Sequence, residues 1–241
     1  MGIINRLIYQ LVFFLFILIL GCHEIAVRGI QEEPISKPPT RPAKENPILG
    51  PQSQQALGAQ SVLIIAVRFP DVQPRLSLRQ IRKRAVEDLD RYVREQSYGL
   101  TWMKADFRGW IRLPDAISEY RVSASIDEIK YQKSRIRKLI KDTMTAIEEK
   151  VNFDNYQHMF IIPGAGVRSE KGYGTNCYNA NPGMLARGTK PDRQYETFES
   201  KGGKLFSGGV FVGIEIAHLG MYAHDFFHAL GGIYKGRVLV P

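Results

Sequence analysis

The chain has 241 residues, 44% hydrophobic and 24% charged, which are ordinary globular proportions and single out no chemistry. A folded part of about 180 residues can bury a sizeable core without disulfide staples, and there are only two cysteines, Cys22 and Cys177. The formal charge of +9 comes from basic runs such as Arg79, Arg82, Lys83 and Arg84, then Lys130, Lys133, Arg135, Arg137, Lys138 and Lys141. No aromatic-interleaved basic stripe accompanies them, so they read as solvated helix faces, and nucleic acid is not expected as a partner.

Residues 1–22 have the layout of an export signal. A basic start ends at Arg6, and Leu11 to Leu20 is an unbroken apolar run of ten residues. That is half of the roughly twenty needed to span a bilayer and fits a signal-peptide core, with a single-span anchor as the alternative. The run closes on Ile19-Leu20-Gly21-Cys22, which resembles a bacterial lipobox and makes Cys22 the candidate for lipidation. Residues 23–60 read as a tether, because prolines 34, 38, 39, 42, 47 and 51 lie among polar residues and keep such a segment extended. The expected protein is exported, and either membrane-anchored through its N-terminus at the cell surface or periplasm, or secreted.

A folded domain is expected over residues 61–241. Val62 to Phe69 is a β-rich apolar run closed by Pro70-Asp71, as in a buried central strand. Ser77 to Gln96 places Leu78, Ile81, Ala85, Leu89, Tyr92 and Val93 on one helical face, with Ser77 as N-cap. Residues 100–113 are aromatic-rich and interrupted by Gly109, which suggests two strands turning at a sheet edge. Residues 125–150 read as a second amphipathic helix, with Ser125 and Glu128 spaced as a capping box. Tyr156 to Ile162 reads as a strand, the glycine-rich stretch 164–209 as loops, Val210 to Ile216 as a last strand, and Met221 to Leu230 as a helix stopped by Gly231-Gly232. The fold class is α/β (α+β), a mixed twisted sheet with two long helices, one of them carrying the His224–His228 pair, and no internal repeat. Trp102, Trp110, Tyr98 and Phe107 read as core or strand-pair aromatics. Gly164-Ala165-Gly166 lacks the helix and lysine of a phosphate loop, and Cys177 reads as an inert thiol.

The stretch that carries chemistry is His224-Asp225-Phe226-Phe227-His228. Four residues on a helix is just over one turn, so both imidazoles project from one face and can share a metal. Zinc accepts neutral imidazole, and a carboxylate beside the first histidine lies near the position of an activated water. His158, His218 and Glu215 are further groups that can approach, although no spacing requires it.

The segment Gly220 to Gly231 resembles the immune inhibitor A-like zinc peptidases, whose motif runs HExxH, then a glycine, then an aspartate. Arg68-Phe69-Pro70-Asp71, Ser97-Tyr98-Gly99-Leu100, Gly109 to Pro114 and Tyr120 are similar to the same family and occur in its order over residues 62–233. The resemblance implies a zincin-like fold, one zinc ion and hydrolysis of peptide bonds in a peptide or protein substrate. It implies His224 and His228 as zinc ligands, Asp225 in the place of the family's glutamate base, and Tyr234 where the family has its third ligand. Asp225 is one methylene short, which withdraws the carboxylate by about 1.5 Å, and Phe227 replaces a small residue. The chain ends 13 residues after His228, so a C-terminus shorter than the family's is expected. An alternative to an active endopeptidase is a catalytically silent surface lipoprotein that binds peptide through the same cleft. A metal phosphohydrolase using His224-Asp225 would be all-helical, against the β-rich runs.

Overall fold

The computed structural model describes residues 56–125, 128, 131–167, 170–186, 196–231, 233–234 and 237–238, all within the compact unit Glu45–Pro241. The expected signal segment, Cys22 and the tether up to residue 55 lie outside the described residues. No helix among the described residues is long and apolar enough to cross a membrane.

A five-stranded sheet of order β2-β1-β3-β7-β4 organises the α/β fold. β1 (Gly58–Arg68) starts four residues earlier than the sequence suggests. Its residues Val62 to Val67 are fully buried, as expected of a strand covered on both faces. Parallel partners flank it: β2 (Thr101–Arg112) on one side and β3 (His158–Pro163) on the other. β7 (Gly209–Gly213) adds in parallel to β3, and β4 (Cys177–Asn181) pairs antiparallel with β7 as the edge strand. The sheet is therefore mostly parallel.

Helix α1 follows β1 as Leu78–Arg82, a π-wound turn Lys83–Asp88 and Leu89–Gln96. Ser77 and Gln80 form a reciprocal capping box at its start, which satisfies two otherwise orphaned N–H groups. Helix α2 (Lys133–Ile147) connects β2 to β3. The step from β1 to β2 and the return across β1 to β3 run in opposite directions, so right-handed crossovers put α1 and α2 on opposite faces. α3 is a single turn, Gly183–Ala186, and β5 (Phe198–Glu199) with β6 (Leu205–Phe206) forms a small hairpin. α4 (Leu219–Gly231) carries the histidine pair. It lies on the α1 side, where Phe227 packs at 6.3 Å from Tyr92 and Arg84 of α1 donates to the Glu215 and Ala217 carbonyls.

Four expectations need correction. The aromatic stretch 100–113 is one long strand with a register shift against β1, not two strands. Gly109 is there for clearance, since a Cβ would lie 2.7 Å from Leu78 Cδ1. The second helix begins at Lys133, not 125, because the chain leaves helical geometry at residues 131–132, and the Glu128 carboxylate accepts from Ser123 instead of capping with Ser125. The histidine pair lies on neither of the two long helices but on a third, α4. Tyr98 is not a core aromatic: it is 92% exposed, at φ 53°, in the tight turn between α1 and β2.

Candidate metal centre

α4 is amphipathic in a way that fixes its rotation. Tyr222 and Phe226, one turn apart, are fully buried on the sheet. Tyr222 meets Phe160 edge-on at 4.7 Å and donates its hydroxyl to the Ile214 carbonyl at 2.7 Å. Phe226 packs at 5.6 Å on Phe211 and at 5.5 Å, edge-on, against His158. Two strand glycines let the helix come this close. A Cβ on Gly213 would sit 2.7 Å from the Tyr222 ring, and one on Gly209 would sit 2.7 Å from His158 Nδ1 and 3.2 Å from Ala229. With that face buried, the spacing leaves His224 exposed and His228 half-buried.

The two imidazoles converge. Their Nε2 atoms lie 2.9 Å apart and their ring planes meet at 82° with centroids 4.5 Å apart. Two imidazoles on one tetrahedral zinc at about 2.05 Å would have nitrogens about 3.3 Å apart, so a few tenths of an ångström of side-chain rotation separates this arrangement from a shared ion. One carboxylate oxygen of Asp225 joins them, the ligand atoms of all three residues lying within 4.8 Å of one another.

Asp225 is only 4% exposed, and its Oδ2 has no hydrogen-bond partner among the described residues. Burial pushes its carboxyl up to about 7, against the pull of the Asn179 backbone N–H that donates to it. A buried carboxylate oxygen without a donor is costly unless a proton or a cation compensates it, and the two imidazole nitrogens frame the place where a cation would sit. The donor set of two imidazoles and a carboxylate is one that zinc accepts. Asn179 belongs to the edge strand β4, and both polar atoms of its own side chain are buried without partners among the described residues.

Other residues singled out from the sequence go elsewhere. His218 lies before the first turn of α4 rather than on it, exposed, with its carbonyl accepting the Met221 N–H. His158 meets Phe226 edge-on beneath the helix, its Nε2 3.1 Å from Gln60 Oε1 and its Nδ1 buried without a partner among the described residues. Glu215 is in the turn after β7 rather than on a strand, fully buried. Its carboxylate accepts the backbone N–H groups of Arg75 and Leu76 at 2.8–2.9 Å. Burial raises its pKa, and those N–H groups and the Arg75 charge oppose the rise. It therefore ties the loop before α1 to the turn that launches α4. For Tyr234 the structure describes the backbone, in the two-residue strand β8 (Ile233–Tyr234) paired with β9 (Arg237–Val238). Cys177 is half-buried, its thiol pushed up by burial and by the Asp225 charge. Its sulfur would lie 2.9 Å from a Cβ on Gly213, and it is not among the three grouped ligands.

Sequence reasoning missed Asn179 and Arg84. Neither sits in a motif, and both act through contacts with residues far along the chain.

In comparisons with known proteins, no family model matches the chain and no curated protein matches it at a significant level.

Proposed function

We propose that the chain is a zinc endopeptidase-like protein of zincin type, in which His224 and His228 hold one zinc ion and Asp225 handles the proton of the attacking water. The observation that carries this reading is the convergence of both Nε2 atoms and one buried carboxylate oxygen within 4.8 Å. When bound, zinc supplies Lewis-acid activation of water for attack on a peptide carbonyl. The chain's own residues supply the rest. The edge-on contact of Tyr222 with Phe160 of β3 and its hydrogen bond to the Ile214 carbonyl anchor the helix that carries the imidazoles. Asp225, with its carboxyl near neutrality, is poised both to accept and to return a proton at working pH. β4 is an antiparallel edge strand beside α4, and an edge strand can pair with an extended peptide backbone. Tyr234, in β8, is the candidate for a third protein ligand, and export with tethering through Cys22 belongs to the same reading.

The 4% exposure of Asp225 and its hydrogen bond from Asn179 favour one alternative. A carboxylate committed to β4 is held back from the water, which leaves a surface lipoprotein that binds peptide at the edge strand without cutting it. Casein cleavage by the full chain, with and without a chelator, separates the two. Slow, chelator-sensitive cleavage that disappears in His228→Ala supports the peptidase. Peptide binding without cleavage in the presence of supplied zinc supports the silent binder.

A further inference from the structure

α2 presents a groove on the face of the sheet opposite to that of the histidine pair. It has a volume of about 470 Å³ and is lined by Arg137, Lys138, Lys141, Asp142, Thr145 and Lys201 among others. A second hollow of about 330 Å³ continues it past Thr145 and Lys201 to Arg112 and Pro114. The basic run on α2 alone would be a solvated helix face, but the groove is made by the fold. Lys201 comes from the β5–β6 turn, some sixty positions along the chain, and that turn is fastened to α2. The Lys201 backbone N–H donates to Thr145 Oγ1 at 3.0 Å, and the Gly202 N–H donates to the Glu148 carboxylate at 2.9 Å. Gly203 takes the φ of +82° that closes the turn.

The charges divide into two groups. Arg137 is paired with Glu196, and Lys138 is held between Asp115 and Asp142. Lys141 and Lys201 have no ion pair among the described residues, and both line the groove, one from α2 and the other from the β5–β6 turn. Two uncompensated ammonium groups on a preorganised wall, backed by the threonine and serine hydroxyls of Thr145 and Ser134, suit anionic oxygens that arrive as a surface. The chain as a whole is basic, at +9, which strengthens attraction to such a surface.

We propose that this groove docks the protein on the phosphate headgroups of an anionic lipid surface, with the α4 face turned to the solution. The inference is independent of the metal site. It is tested by the partition of the full chain onto phosphatidylcholine vesicles with and without phosphatidylglycerol. The apolar run Leu11 to Leu20 contributes equally to both, so the ratio reports the charge-dependent part. Each basic residue near the surface is worth about 5-fold, so Lys141→Gln/Lys201→Gln should lower the ratio by about 30-fold, with thermal unfolding unchanged. A control pair of the same charge on α1, Arg79→Gln/Arg82→Gln, should leave it within about 3-fold. An equal loss in the control pair would reduce the effect to net charge and overturn the proposal. So would the absence of any preference for phosphatidylglycerol. Displacement by inorganic phosphate at matched ionic strength would make the groove a small-anion site. Tighter, Lys141-dependent binding to duplex DNA would make it a nucleic-acid site. Either result would overturn the lipid assignment.

Discussion

Replacing His158 by glutamine should change how stability depends on pH, by an amount the structure sets. His158 opens β3 beneath α4, with its ring edge-on to Phe226 and its Nδ1 against Gly209. Nε2 faces Gln60 Oε1, so the neutral ring donates there, and protonation would add an N–H at Nδ1 with no acceptor in reach. Burial accordingly pulls its pKa from 6.5 down to about 4. Above pH 6.5 the ring is neutral both folded and unfolded, and its titration does not affect stability. As pH falls through that value the unfolded chain takes up the proton first, and stability is lost until the folded ring protonates near pH 4. The shift of 2.5 (6.5 less 4) corresponds to about 3 kcal/mol. Asp225 and Glu215, whose pKa values are raised, work the other way by favouring the folded state as the pH falls. The wild-type curve therefore mixes opposing slopes, and the difference from His158→Gln isolates the histidine. Urea unfolding of both proteins from neutral pH to about pH 4 should show the stability gap moving in the variant's favour by about 3 kcal/mol. A gap that stays constant over that range would mean that His158 is not held neutral under the helix, and the packing argument for α4 would fail with it.

Gly213→Ala places a methyl against a Tyr222 ring that is itself tied to Ile214. We expect a loss of about 1–3 kcal/mol by urea unfolding, together with weaker zinc binding because α4 must shift. Asp225→Glu restores the longer carboxylate and should raise chelator-sensitive casein cleavage. The extra methylene in a packed site should cost about 1–3 kcal/mol of stability. Unchanged cleavage would argue against a base at this position. Ser77→Ala removes the capping box of α1 and should cost about 1 kcal/mol with zinc affinity intact. A matching loss of zinc affinity would show that the start of α1 governs the site.

Legibility followed the range of the interactions. Val62 to Val67 and the run at 158–163 read as strands because both are apolar runs rich in β-branched residues, and both faces are buried. α1 carried its N-cap in plain view at Ser77, and the structure adds Gln80 as the other half of a capping box. The i,i+4 pair at His224 and His228 needed only helical geometry, and the structure brings the two nitrogens together. β4 was hidden, because Cys-Tyr-Asn-Ala-Asn is short, carries two asparagines of low strand propensity and follows a glycine-rich loop. Its strand character comes from pairing with β7. With β4 unseen, the Asn179 N–H that reaches Asp225 was unseen too, and so was the burial that moves Asp225 toward neutrality. Glycines were misread in the same way. Gly109, Gly209 and Gly213 mark close approaches by Leu78, His158 and Tyr222, which a one-dimensional reading takes for turns or ignores. The lone pairing of Glu215 with the Arg75–Leu76 backbone spans nearly the whole domain and leaves no local mark.

The central claim is that His224 and His228 share one metal ion, and equilibrium zinc titration of the full chain tests it most directly. The account predicts one zinc per chain, removable by chelator, with affinity lost in His224→Ala and in His228→Ala and retained in His218→Ala. Zinc that binds equally well to the His224→Ala and His228→Ala proteins, or no binding at millimolar supply, would contradict it.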